Sequence, residues 1–216
     1  MIERLIRNIA PFACMICAAP GERLCRSCVL SEITLAEQDH GIDVNWGEDR
    51  LFVFAEHANL PRQLVHAAKF ERQRAVLQIL ANAMASSPLL PIRDVVVPLP
   101  TAGSRQRARG YDQAVLLARA IARQTNTPLL QALQRNHNKR QVGASRKVRI
   151  AQAGSAYRLR ESAVSRLASC RILLIDDVVT TGASIVAARD LLLRAGAKSV
   201  SAATFTRTPI DSPPKP

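Results

Sequence analysis

Arg171-Ile172-Leu173-Leu174-Ile175-Asp176-Asp177-Val178-Val179-Thr180-Thr181-Gly182-Ala183-Ser184 is the stretch that decides how this chain folds. Four apolar residues suited to a buried parallel strand run into two adjacent carboxylates. A Thr-Thr-Gly-Ala-Ser turn follows, and then a helical period with Ile185, Ala188, Leu191, Leu192 and Ala195 on one face. Strand, polar turn and helix N-terminus in this order predict an α/β fold, in which ligands sit beyond the carboxyl ends of the strands.

Each part of the turn has a physical task. A helix N-terminus presents unpaired N–H groups and a partial positive charge, so it binds phosphate without a lysine. Hydroxyls of Thr180, Thr181 and Ser184 add donors, and Gly182 lets the backbone approach closely or take a positive φ. Asp176 and Asp177 would repel that phosphate unless they face a ribose diol or a Mg²⁺ ion. Taken alone, an Asp-Asp pair is an ordinary strand end on a solvated rim; the full string asks six constrained positions to coincide. No Gly-x-x-x-x-Gly-Lys-Ser/Thr and no Gly-x-Gly-x-x-Gly occurs, which argues against triphosphate and dinucleotide sites.

At these residues the chain resembles the type I phosphoribosyltransferases, whose signature for phosphoribosyl pyrophosphate is two acids followed by Thr-Thr-Gly. The resemblance implies a parallel sheet flanked by helices. It gives Asp176 and Asp177 the ribose hydroxyls, and Thr180, Thr181, Gly182, Ala183 and Ser184 the 5′-phosphate, with Val178 and Val179 inside the same ligand-binding string.

Working outward, Val95 to Pro100 is a second β-branched run stopped by Pro and Gly103. It leads through Arg105, Arg107, Arg109 and Gly110 to a helix with Ala114, Leu117, Ala118 and Ile121 on its apolar side. Arginine forks suit pyrophosphate oxygens; the alternative is a solvated charge run. The string Arg109-Gly110-Tyr111-Asp112-Gln113-Ala114 is similar to that of the ComF/GntX-like family, with Asp112 where the family usually has Asn. That change adds a negative charge near the anion site. Lys69-Phe70 also resembles a Lys-aromatic pair of that family. The stretch from Asn136 to Arg146, without a lasting apolar period, is expected to be a mobile cover for the site.

Cys14-x-x-Cys17 and Cys25-x-x-Cys28, seven residues apart, fit a tetrahedral Zn²⁺ on four thiolates. Two disulfides or a redox pair would need an oxidising compartment or a thioredoxin-like context. An N-terminal zinc module is also what the ComF-like resemblance implies. Cys170 is expected to be a small buried residue.

The chain has 216 residues and a net charge of +13, enough for one α/β domain and a satellite, with anionic partners. The expected organisation is a zinc module over 1–38, a linker over 39–50 and a phosphoribosyltransferase-like domain over 51–216. Met1 to Ala19 has some marks of a signal peptide, but cleavage there would remove half of the metal site, so a short docked helix is expected. No apolar run approaches membrane-spanning length, which predicts no membrane insertion and a cytoplasmic location. Leu51 to Ala55 is expected to be a strand in a small hood over the site. After it come a helix through Leu64, Val65 and Ala68, a helix from Arg72 to Met84 burying Ala75, Ile79, Leu80 and Ala83, and a late strand from Val200 to Thr206. His66 is expected at the surface.

Two functions fit. One is a phosphoribosyltransferase that binds phosphoribosyl pyrophosphate or a related nucleotide with Mg²⁺, for which no catalytic base is identifiable. The other is a non-catalytic single-stranded-DNA-binding accessory protein, since the ComF-like resemblance implies a link to competence, DNA uptake and DNA-uptake proteins. The basic stretch from Arg119 to Arg160 suits a phosphate backbone, but no Phe, Trp or Tyr lies between Tyr111 and Tyr157 to stack bases.

Overall fold

A run as apolar as Ile172 to Ile175 is satisfied only between two covering layers, and the structure, a computed structural model, puts it there. The structure describes residues 13–14, 16–21, 25, 27–28, 49–57, 59–70, 74–101, 103, 106–107, 110–136 and 156–208. The chain divides into two compact units, 1–39 and 40–216.

The larger unit contains β1 (Leu51–Glu56), α1 (Asn59–Phe70), α2 (Arg74–Ser86), β2 (Val95–Pro98), α3 (Gln113–Gln124), β3 (Leu133–Arg135), β4 (Tyr157–Leu159), α4 (Glu161–Leu167), β5 (Arg171–Val179), α5 (Ala183–Arg194) and β6 (Ser199–Arg207). Four strands pair in parallel in the order β1-β6-β5-β2. The outer side of β2 is continued by a parallel bridge from Val96 to Leu129.

Strand alternation divides the core. Ile172 and Leu174 align with Val95 and Val97 on one side and with Val200 and Ala202 on the other. These residues form one buried cluster with Leu51, Ala163 and Leu167 of α4, and Ile185, Ala188 and Leu192 of α5. Leu173, Ile175, Ala203 and Phe205 project to the opposite face. There α3 packs on β2 and β5, α2 on α3, and α1 on α2 and β1. Helix α5 ends in a Schellman turn, with Gly196 N–H donating to Leu193 C=O and Ala197 N–H to Leu192 C=O; Gly196 supplies the required φ of 94°.

Three expectations change. Leu51 to Ala55 is an edge strand of the main sheet, in register with Ala202 to Thr206, and not part of a hood. Helix α2 buries Val76, Leu77, Leu80, Ala81 and Met84; of the expected stripe Leu80 is buried but Ile79 and Ala83 are only half-buried, so the buried face is turned from the expected one, where the helix packs against both α1 and α3. Cys170 is half-buried, its thiol donating to Arg166 C=O at 3.3 Å. His66 is exposed, as expected. Apart from Asn136, whose N–H donates to Ala156 C=O at 2.8 Å, the segment expected to be a mobile cover lies outside the described residues, as does most of the N-terminal helix expectation.

The amino end of the sheet is clamped by charge. Asp49 is buried; its carboxylate accepts from Val200 N–H at 3.0 Å and pairs with Arg189 at 3.1 Å. Among the described residues no helix is long and apolar enough to cross a membrane.

Candidate functional site

The opposite, carboxyl end of the sheet carries the polar residues. Because β5 keeps its two-residue period through Val179, Asp176 and Asp177 project to opposite faces. Asp176 shares a face with its register partner Thr204 on β6. Asp177 turns toward α1, where its Oδ2 meets Lys69 Nζ at 2.8 Å. Asp177 N–H also donates to Asp176 Oδ1 at 2.8 Å.

The two carboxyls therefore differ in environment. Burial, and after it the charge of Asp177, pushes Asp176 well above the usual carboxylate range. Beside it, Thr204 Oγ1 is buried and finds no hydrogen-bond partner among the described residues. A buried hydroxyl left unpaired costs free energy, on the order of 1–3 kcal/mol, so this face of the site is short of a polar partner. At the end of β1, His57 N–H donates to Arg207 C=O, and its ring Nδ1 lies 2.9 Å from Thr206 Oγ1. Burial, followed by the charges of Lys69 and Arg62, holds the imidazole below its ordinary value, so it is neutral at pH 7.

Behind the acids the chain turns through Thr180 and Thr181 into α5. Gly182 occupies the N-cap with φ 73° and has no side chain to cap the helix. The first bond of the helix is Val186 N–H to Gly182 C=O, which leaves the Ala183, Ser184 and Ile185 amides outside the helical ladder. Among the described residues only Thr181 Oγ1 reaches one of them, at 3.5 Å from Ala183 N. Thr180 and Thr181 are exposed, and Val178, Gly182, Ala183 and Ser184 are half-buried. The turn is thus an accessible cluster of donors at the positive end of a helix.

The cationic loop joins β2 to α3 and is held at its base. Asp112 is buried and performs three tasks at once. It caps α3 by accepting from Val115 N–H at 3.4 Å, and it accepts from Thr101 N–H at 2.8 Å and Thr101 Oγ1 at 3.2 Å. The charge that the sequence placed near an anion site is therefore turned inward and spent on closing the loop. Tyr111, also buried, donates its hydroxyl to Ala68 C=O in the last turn of α1. Gly110 N–H donates to Gln106 C=O at 2.8 Å, and the tight turn there needs Gly110 at φ 79°. Arg107 and Gly110 are exposed; Arg105 and Arg109 lie outside the described residues.

In the smaller unit, Cys14, Cys17, Cys25 and Cys28 bring their Sγ atoms within 4.8 Å of one another. Four thiolates at about 2.3 Å from one ion stand roughly 3.8 Å apart, and the Cys17–Cys25 separation is 3.6 Å. Cys14 N–H to Ala19 C=O and Ala18 N–H to Cys14 C=O, both 2.8 Å, form the first knuckle, with Ala18 at φ 59°. Cys25 N–H donates to Cys14 Sγ at 3.3 Å, as an amide does to a ligating thiolate. The Ser27 hydroxyl, with help from Cys28, holds Cys25 at about 6, while Cys25 and Cys17 push Cys28 up. Neighbouring thiols that cannot all ionise together fit a site built for a cation.

The structure places Asp176 to Ser184 along one strand end, turn and helix start in the larger unit, and gathers the four cysteines into one cluster in the smaller unit. His57, Thr204, Thr206 and the inward tie of Asp112 were missed. Thr204 and Thr206 sit in a late apolar strand, where threonines at a two-residue interval are the one available sign that a face is polar.

The phosphoribosyl transferase domain family matches residues 111–215. The chain is 31% identical over 160 residues to DNA utilization protein YhgH of Salmonella typhi, covering 67% of this chain and 66% of that protein. It is 27% identical over 161 residues to competence protein F of Haemophilus influenzae, covering 70% of each. Competence protein ComFC of Bacillus subtilis is 36% identical over 115 residues, covering 53% of this chain and 45% of that one. The likeness spans between 45% and 70% of these relatives' lengths. With a family match that opens at Tyr111 and runs through the β5–α5 turn, and relatives that carry the likeness beyond its length, the chain belongs to the ComF-like group of the type I phosphoribosyltransferase family.

Proposed function

We propose that this protein binds phosphoribosyl pyrophosphate, or a nucleotide sharing its phosphoribosyl group, at the β5–α5 turn. The observation that carries this reading is the N-terminus of α5. Its first-turn amides stand outside the helical ladder, directly behind an acid pair in which desolvation and the charge of Asp177 hold Asp176 well above the usual carboxylate range. Asp176 and Asp177 take the ribose hydroxyls, and Val178 to Ser184 enclose the 5′-phosphate with backbone amides and hydroxyls. Arg105, Arg107, Arg109 and Gly110 form the pyrophosphate loop, with guanidinium forks on the phosphate oxygens.

Carboxylates and hydroxyls are the donor set of a hard cation, and the unpartnered Thr204 Oγ1 beside Asp176 adds one more oxygen, so Mg²⁺ bound with the ligand fits these residues. When present it would spread the charge of the departing pyrophosphate. This chain's own share of any transfer is orientation of the sugar and stabilisation of charge at the two ends. The names of the relatives, a DNA utilization protein and competence proteins, support a role for this site in DNA uptake or use, in the reducing cytoplasm. Zn²⁺ fills the four-thiolate site as a structural ion.

The test is thermal stabilisation by phosphoribosyl pyrophosphate with Mg²⁺. At about 100 times the dissociation constant a specific ligand adds about 2.7 kcal/mol of stability by mass action. Wild type should gain that shift and Asp176→Asn/Asp177→Asn should not; equal shifts in the two proteins would reject the cradle. A second reading, a non-catalytic single-stranded-DNA-binding accessory protein, is favoured by the exposed cations Arg119, Arg123, Arg158 and Arg160. The same assay with an oligonucleotide separates the two, because binding to the backbone weakens steeply with salt and ignores the acid pair.

A further inference from the structure

We propose that Lys69 is a displaceable counter-ion: it guards Asp177 while the site is empty and moves onto the leaving-group phosphates when a ligand's ribose hydroxyls take its place. The inference rests on the phosphoribosyl reading and deepens it, since it makes the site select for a sugar that carries a second anionic group.

The pair has the geometry for an exchange. Lys69 Nζ and Asp177 Oδ2 are 2.8 Å apart, and their side chains are 20% and 17% exposed, so neither charge is free in solvent and neither is sealed in the core. The ammonium therefore occupies part of a carboxylate that faces the proposed diol. A lysine head on a four-carbon stem can change partner while its backbone stays fixed.

Its backbone is fixed beside the second partner. Ala68, one residue earlier, gives its carbonyl to the Tyr111 hydroxyl, and Tyr111 follows Gly110 at the end of the cationic loop. Asp112 in turn ties the far side of that loop to Thr101. The last turn of α1 is thus attached to the base of the proposed pyrophosphate loop, while its lysine reaches across to β5. Leaving a partly buried ammonium without an anion is costly, so a ligand that displaces Lys69 from Asp177 binds well only if it supplies another anion within reach. Phosphoribosyl pyrophosphate does; ribose 5-phosphate does not.

The experiment compares Mg²⁺-phosphoribosyl pyrophosphate with ribose 5-phosphate, by calorimetry and thermal shift, on wild type, Lys69→Met and Lys69→Arg. A charge-assisted contact is worth about 1.5–3 kcal/mol, so Lys69→Met should weaken phosphoribosyl pyrophosphate by about tenfold or more. Its affinity for ribose 5-phosphate should stay level or rise, because a competitor for Asp177 is gone. Lys69→Arg should recover part of the loss. If Lys69→Met weakens both ligands by the same factor, or neither, the exchange is wrong while the cradle stands. If wild type is stabilised by neither ligand, the cradle itself falls and the inference with it. Should Lys69→Met fold poorly, Lys69→Met/Asp177→Asn removes both charges together and must still discriminate against phosphoribosyl pyrophosphate relative to ribose 5-phosphate when set beside Asp177→Asn alone.

Discussion

Asp176 shows how a carboxyl can be held in place at the expense of the fold. Burial and the neighbouring charge of Asp177 raise its value in the native state, so the folded protein holds a proton that the unfolded chain gives up. The sign follows: below the ordinary carboxylate value of about 4 the residue costs nothing, and stability is lost as pH rises through the raised native value. Asp176→Asn keeps the shape and removes the charge. Its ligand-free melting temperature should therefore exceed that of wild type at pH 7.5, the gain should vanish as pH falls toward 4, and stabilisation by phosphoribosyl pyrophosphate should be lost. Melting curves across that range decide it; a variant less stable than wild type at every pH would mean that Asp176 is already compensated in the empty site.

At the scale of elements, the two loops of the site are organised by helix ends, one left open and one closed. Gly182 leaves the N-terminus of α5 without a side-chain cap, whereas Asp112 caps α3 and ties Thr101 across the base of the cationic loop. Asp112→Ala removes the cap and the tie, and should cost about 1–2 kcal/mol in urea denaturation and loosen the loop enough to weaken phosphoribosyl pyrophosphate. Val115 N–H and Thr101 N–H use different oxygens of Asp112, so Asp112→Asn keeps an acceptor for one of them and turns an NH2 donor toward the other; its loss should fall between wild type and Asp112→Ala. A loss equal to that of Asp112→Ala would mean that the loop closes only when both carboxylate oxygens accept. This arrangement also marks what was legible in the chain. The strand-turn-helix around Asp176 could be read because its period, its turn residues and its acids are contiguous. Asp112 could not, because its partner Thr101 is fixed only once the loop has closed. Likewise, Leu51 to Ala55 declares itself a strand, but its neighbours in the sheet are Ala202 to Thr206, and no local pattern distinguishes that pairing from a separate hood. Strands β3 and β4, which pair antiparallel with three residues each, lie below the length at which a two-residue period can be seen.

Across the whole molecule, the two units draw on different sources of stability. Residues 40–216 bury both faces of a parallel sheet, with Ile172, Leu174, Ile175, Phe205 and Leu192 fully enclosed. In residues 1–39 the buried apolar side chains among those described are Cys14 and Cys28, both at the thiol cluster. An ion held by that cluster would supply order of its own, since structural zinc in small fingers contributes about 10–16 kcal/mol of apparent binding free energy. Chelation of the purified full chain should release one zinc and abolish the hydrogen-exchange protection of amides around Cys14 to Cys28. The cooperative melt of the sheet domain, and its shift with phosphoribosyl pyrophosphate, should persist. Loss of both on chelation would show that the metal supports the ligand site as well as its own knuckles; protection that survives complete removal of the ion would show that the cysteines are ordered by something other than a metal.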